Sequence, residues 1–142
     1  MPGSGSDPTP ERSAEAALMA RLQNLHQWVN SDDVLVHRGR FVTLDFQIAI
    51  GTVSCFVSVV NGKLERIEQG PQRMRSSRFV VSASAAAWEK FWQPTPEPSW
   101  HDLFAMNKKG NATIEGDLHP FMANLQYFKD LLALPRHMTG AR

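Results

Sequence analysis

One cysteine, Cys55, stands in 142 residues. No intramolecular disulfide can form, and a zinc site built on several thiolates is excluded. That usage fits a reducing, cytoplasmic setting. Charge of one sign is equally short: 15 lysines and arginines face 14 aspartates and glutamates, giving a formal net charge of +1 and a pI of about 8.0. Nucleic-acid-binding domains concentrate basic residues and exceed a pI of about 9, so no nucleic-acid partner is expected. Long apolar runs are missing too, and none nears the roughly 18 residues of a membrane span. Residues 1–12, MPGSGSDPTPER, hold no apolar segment of the kind a signal peptide needs and are expected to form a disordered tail. The end, Thr139-Gly140-Ala141-Arg142, matches no peroxisomal or lipidation signal. The expected layout is one domain over 13–135 with a second short tail over 136–142.

Catalytic patterns are absent in the same way. No Gly-x-Ser-x-Gly elbow, His-Glu-x-x-His pair or glycine-rich phosphate loop occurs. The five histidines are spread along the chain, none spaced to share a helical face. His101-Asp102 has the composition of a metal-binding pair but lacks further ligands. Asp102 reads more simply as an acid at the positive end of a helix. Glu115 and Asp117 could act as an acid/base pair, against the simpler reading of a solvated strand end. Cys55 sits mid-strand among apolar neighbours, where a structural thiol is expected rather than a reactive one. No catalytic residue, metal or cofactor is therefore assigned.

What is present is a core and its periodicities. Hydrophobic residues make up 42% of the chain, enough for a domain of this size to bury about 70% of its unfolded surface. Ser13 reads as the cap of a first helix. Leu18, Leu22, Leu25 and Val29 share one face of it, widened by Ala14 and Trp28. The helix should stop before Asn30-Ser31-Asp32-Asp33. Over 41–50, Val42, Leu44, Phe46, Ile48 and Ile50 alternate with polar residues, which predicts a strand with one wholly apolar face. Gly51-Thr52 predicts a turn, Val53 to Val60 a second strand, and Asn61-Gly62 a hairpin to a third strand from Leu64 to Glu68. Arg66, Arg73, Arg75 and Arg78 form a local basic patch able to meet an anionic headgroup or touch a membrane transiently. A fourth strand, Phe79 to Ala83, runs into a helix at Ser84 that the prolines at 94, 96 and 98 must end. Ser99 reads as the cap of a helix with Trp100, Leu103, Phe104 and Met106, closed by Lys108-Lys109-Gly110. A fifth strand follows over 111–116. Pro120 opens a last helix in which Phe121, Leu125, Phe128 and Leu132 make one stripe, and Pro135 ends it.

Trp88, Phe91, Trp92, Trp100 and Phe104 fall within seventeen residues. Rings in two short helices must pack on the sheet or line a cavity.

The segment WHDLFAM at 100–106, then GNATIEGD at 110–117, then the helix from Phe121 to Leu134, resembles the sterol carrier protein domain family. The hairpin at Asn61-Gly62 and the strand entering a helix at Ser84 fit as well. The resemblance implies an α+β fold. A five-stranded, mostly antiparallel sheet would be covered on one face by about four helices, enclosing an apolar tunnel for sterols, fatty acids or acyl chains. It implies no catalytic residues. The chain departs from the family in its aromatic, proline-rich stretch 88–100 and its short strand at Phe79. From the residue pattern, the tunnel walls are assigned to Phe46, Ile48, Trp88, Phe91, Trp92, Phe104, Met122, Leu125 and Phe128. The expected function is non-catalytic binding or transfer of an apolar ligand. The alternatives are an accessory subunit that presents its aromatics to a partner or forms a dimer, and a small enzyme using Asp45, His101 or Glu115.

Overall fold

The structure, a computed structural model, describes residues 10–70 and 77–138, with side chains described over 13–70 and 77–136. Arg73, Arg75, residues 1–9 of the expected 1–12 tail and residues 139–142 lie outside the described residues, while residues 10–12 of that tail are helical.

Five strands form one sheet: β1 (Leu44–Ile50), β2 (Val53–Val60), β3 (Lys63–Gln69), β4 (Phe79–Ala83) and β5 (Ala112–Gly116). Their spatial order is β3-β2-β1-β4-β5. Three neighbouring pairs are antiparallel, and β1 and β4 run parallel, Ile48 opposite Val81. β2 and β3 join through Asn61 and Gly62, both at positive φ, as a two-residue hairpin turn of this hand requires. Gly116 closes β5 at φ +113, where an added Cβ would lie 2.6 Å from the Arg78 carbonyl oxygen. That close approach lets the Asp117 N–H donate to the same carbonyl at 2.7 Å. The Gly-Asp of the strand end is thus a steric requirement of joining β5 to the start of β4.

The expected alternation is realised in β1, although the strand opens at Leu44 rather than at 41. Phe46, Ile48 and Ile50 are buried on one face, joined by Cys55, Val57 and Val59 of β2 and by Phe79 and Val81 of β4. Helices cover this face. Burial of so continuous an apolar surface, at about 25 cal/mol per Å², is the main force holding sheet and helices together.

The helices are shorter and more numerous than the sequence pattern predicts. Eight occur among the described residues: α1 (Pro10–Gln23), α2 (Leu25–Asn30), α3 (Asp33–Arg38), α4 (Ala85–Phe91), α5 (Leu103–Lys108), α6 (His119–Ala123), α7 (Leu125–Ala133) and α8 (Pro135–Met138). The first predicted helix starts at Pro10, so Ser13 lies inside it and caps nothing. It breaks at Asn24, whose N–H donates three residues back to the Arg21 carbonyl. The apolar face survives the break, since Leu18, Leu22, Leu25 and Val29 are all buried. Helix α3 was not anticipated; its signal is Asp32, whose side chain accepts from the Leu35 N–H at 3.1 Å. Ser84 does cap α4, accepting from the Ala87 N–H. Ser99 does not cap α5: it sits at φ +76, and the cap position belongs to Asp102. The predicted last helix is two pieces, divided at Asn124, and Pro135, expected to end it, opens a further helix, α8.

Asn30, at the end of α2, accepts from the Leu64 N–H at 2.8 Å and donates to the Leu64 carbonyl at 2.9 Å. One side chain thereby occupies both backbone groups of an outer-strand residue, which blocks further pairing at that point of the edge.

Candidate functional site

The apolar layer between sheet and helices is built from two groups of rings. In the first, Phe46 of β1 stacks on Phe79 of β4 with centroids 5.2 Å apart. Phe128 of α7 sets its edge to both, at 5.5 and 5.2 Å. Phe121 of α6 lies edge-on to Phe79 at 5.3 Å and stacked on Phe128 at 5.6 Å. Phe104 of α5 reaches Phe121 at 6.0 Å. In the second, Trp88, Phe91 and Trp92 of α4 pack together at 4.9–5.7 Å. Both indole N–H groups are satisfied, Trp88 on the Ala49 carbonyl and Trp92 on the Leu132 carbonyl. Two guanidiniums close the outer side of this second group. Arg21 lies over Trp92 at 5.3 Å and Arg136 over Phe91 at 4.8 Å, where Arg136 also donates twice to the Phe91 carbonyl. Burial draws both guanidiniums below their ordinary pKa, with Glu89 opposing that shift at Arg21.

Of the nine residues assigned to tunnel walls, six are brought together in this layer: Phe46, Ile48, Trp88, Phe91, Trp92 and Phe128 are all almost fully buried. Phe104 is half-buried at its margin and Leu125 is half-buried on α7. Met122 is 53% exposed on the outer side of α6. Within this layer the rings of Phe46, Phe79, Phe121 and Phe128 lie 5.2–5.6 Å from one another in five pairs. Four clefts of about 320–460 Å³ open among the described residues, and none of these four is lined by any of the nine.

Phe79, Phe121 and Tyr127 belong to the same layer and were not assigned to it from sequence. Phe121 is the one buried residue of α6. Tyr127 donates its hydroxyl hydrogen bond to the Gly62 carbonyl at 2.7 Å, fixing α7 to the β2–β3 turn, and its burial raises the phenol pKa. Neither carries a local signal in the sequence: Phe79 joins the layer because β4 lies beside β1, and Tyr127 because the helix breaks at Asn124.

The residues considered for chemistry do not converge. Asp45 is on β1 and Glu115 on β5, with β4 between them, both on the face away from the rings. His101 is exposed just before α5. Asp117 pairs with Arg78 at 3.2 Å, and Asp102 with Lys129 of α7 at 3.1 Å. Cys55 is buried, and desolvation pushes its thiol up to about 12 despite a backbone hydrogen bond at Ile48. Among the described residues, no three of His, Cys, Asp and Glu gather as metal ligands, and no helix is long and apolar enough to cross a membrane.

No family model and no curated protein matches this sequence. Solved structures do. Sterol carrier protein 2 superposes with a TM-score of 0.66 at 14% identity, over 82% of this chain and 94% of its own. UbiJ-SCP2, a ubiquinone synthesis protein, gives 0.55 at 15% identity over 84% and 96%. Sterol carrier protein 2 from Yarrowia lipolytica gives 0.56 at 5% identity over 91% and 96%. Strand order, the helix-covered face and these superpositions together show that the chain has the sterol carrier protein 2 fold.

Proposed function

We propose that the protein binds, and passes on, a lipid-like apolar ligand without catalysis, holding it between the β1–β4 face and helices α4 to α7. The observation that carries this reading is the way the first ring group is roofed. Helix α6 has five residues and anchors itself by Phe121 alone, whereas α7 buries Tyr127, Phe128, Leu131 and Leu132. Between them Asn124 stands at φ −123 and ψ 39, outside helical geometry. A swing of α6 about Asn124 withdraws one ring from Phe79, Phe104 and Phe128 and opens an apolar slot, while α7 stays fixed by Tyr127. The rings then act as a plug that a ligand displaces, exchanging ring-to-ring contact for ring-to-chain contact at little net cost in buried area.

The names of the neighbours support an apolar ligand: two are sterol carrier proteins and one serves ubiquinone synthesis. Of the residues assigned from sequence, Phe46, Ile48, Phe104 and Phe128 would meet the ligand first, with Met122 and Leu125 at the hinge. Trp88, Phe91 and Trp92 would form the far wall. The lone buried thiol suits a reducing, cytoplasmic setting.

Native mass spectrometry of protein purified without detergent tests the reading directly, with bound lipid as the expected result. Fluorescent fatty-acid and sterol analogues should also quench tryptophan emission on titration. Absence of binding across several chain lengths and sterols refutes it.

A further inference from the structure

The sheet face away from the rings holds a polar cleft of about 460 Å³ over β1, β2 and β3, reaching the entry to β4. Its charged lining among the described residues is Asp45, Glu65, Arg66 and Arg78. Asp45 of β1 stands opposite Ser58 of β2, and Ser58 stands opposite Arg66 of β3. The register shifts between Ser58 and Val59, which makes Glu65 the extra residue of a β-bulge. A bulge sets two residues against one and re-aims a side chain. Here it brings the consecutive residues Glu65 and Arg66 to the same cleft.

Both arginines are already engaged, Arg66 with Glu68 at 3.3 Å and Arg78 with Asp117 at 3.2 Å. The carboxylates of Asp45 and Glu65 have no hydrogen-bond or ion-pair partner among the described residues. Lys63, opposite Val60 on this face, does not line the cleft, and Glu115 of β5 adds a further carboxylate beside it. The charge left unmatched in the cleft is therefore negative. Between the two carboxylates runs β2. Its Ser58 is 5% exposed, and the hydroxyl makes no hydrogen bond among the described residues. A buried polar group without a partner is an exception in folded proteins. Val60, next on the same face, is 36% exposed and gives the cleft an apolar strip.

We infer that this cleft binds a short aliphatic diamine. One ammonium group faces Asp45 and the other Glu65, the methylenes lie along Val60, and the Ser58 hydroxyl accepts from the ammonium on the Asp45 side. Neighbouring strands lie about 4.8 Å apart, so the backbones of Asp45 and Glu65, with β2 between them, are about 10 Å apart. Two cationic ends joined by a short chain match that spacing. A single metal ion does not, since no three ligating side chains gather among the described residues. The site lies across the sheet from the ring layer and stands independently of the ligand proposed there. Two partly exposed ion pairs give weak binding, with a Kd on the order of 1 mM.

Titration of the full chain with 1,4-diaminobutane at constant ionic strength, followed by amide NMR, tests this. The signals of Asp45, Ser58 and Glu65 should move along one saturable curve. That of Asn111, at the other end of the sheet, should stay in place. Butylamine, with one ammonium group, should bind about tenfold more weakly. Asp45→Asn and Glu65→Gln, both close in shape to the parent, should each weaken the diamine about tenfold. Glu115→Gln, on the same face but outside the cleft, should bind like the parent. The inference is overturned if the diamine gives no saturable shift, if butylamine binds as tightly, or if both cleft variants bind like the parent. Equal weakening by Glu115→Gln also overturns it, because that describes diffuse attraction to an acidic face. So does a saturable shift of the same amides with inorganic phosphate in place of the diamine, which assigns the cleft to an anion held by Arg66 and Arg78.

Discussion

Removing the ring of Phe121 separates the roof from the wall. Phe121 is almost fully buried and meets Phe79, Phe104 and Phe128 at 5.3–6.0 Å. Truncating a buried phenylalanine to alanine costs about 3–5 kcal/mol, part in transfer and part in the cavity left behind. Helix α6 can collapse or detach at modest cost, so Phe121→Ala should fall near the lower figure, about 3 kcal/mol. A domain with a stability of about 5–15 kcal/mol survives that loss. If α6 is the door, the same energy is what holds it shut. Opening would become easier by about 3 kcal/mol, and the population able to admit ligand would rise about a hundredfold. Stopped-flow mixing with a fluorescent fatty acid should show faster entry in Phe121→Ala than in the parent. Leu131→Ala removes an equally buried side chain from α7 and is the control: it should cost a similar stability and leave entry nearly unchanged. Equal acceleration in both variants would mean that general loosening admits the ligand. An unchanged rate in Phe121→Ala would place the entrance elsewhere and refute the reasoning from α6.

Three further outcomes follow from packing and titration. Leu131→Ala, at a fully buried site, should cost about 2–5 kcal/mol in urea unfolding, whereas Leu125→Ala, half-buried, should cost less than about 2 kcal/mol. Glu15 of α1 is buried and accepts from both the N–H and the hydroxyl of Thr52 in the β1–β2 turn. Glu15→Ala should destabilise by about 1–3 kcal/mol through loss of the two hydrogen bonds to its carboxylate. Cys55 titrates near 12 folded and at its ordinary 9.0 unfolded, so between these values the unfolded chain binds fewer protons. Stability should therefore fall as pH rises above 9, and fall less in Cys55→Ser after correction for the substitution's own cost. Tyr127, also raised, acts in the same direction.

The strands were legible because each carries its own signal. Alternation marked β1, paired glycine-type turns marked β2 and β3, and the change of period at Ser84 marked the end of β4. The helices were legible only as apolar faces. A 3.6-residue period does not show where a hydrogen bond tightens from four residues to three, so the breaks at Asn24 and Asn124 were invisible. The second of these mattered most. It leaves Leu125 half-buried, lets Tyr127 join Phe128 and Leu132 in the buried face of α7, and divides one long covering helix into α6 and α7. Membership of the ring layer depends on which strands neighbour one another, so Phe79 could not be placed beside Phe46 from local pattern. The parallel pairing of β1 with β4 is a fact of topology that no window of sequence contains.

That pairing also bears on how the chain is made. Residues 44–69 form β1, β2 and β3 as a contiguous meander, whose two tight turns close local contacts early. The free side of β1 gains its partner only when β4 has been synthesised and brought across the meander. During vectorial synthesis the central strand of the finished sheet is an edge strand, and its Phe46, Ile48 and Ile50 face has not yet received α4 to α7. A nascent or truncated chain ending near residue 70 therefore presents an unpaired apolar strand, the form most prone to pair with another chain. Solubility of this protein during translation depends on how quickly β4 reaches β1.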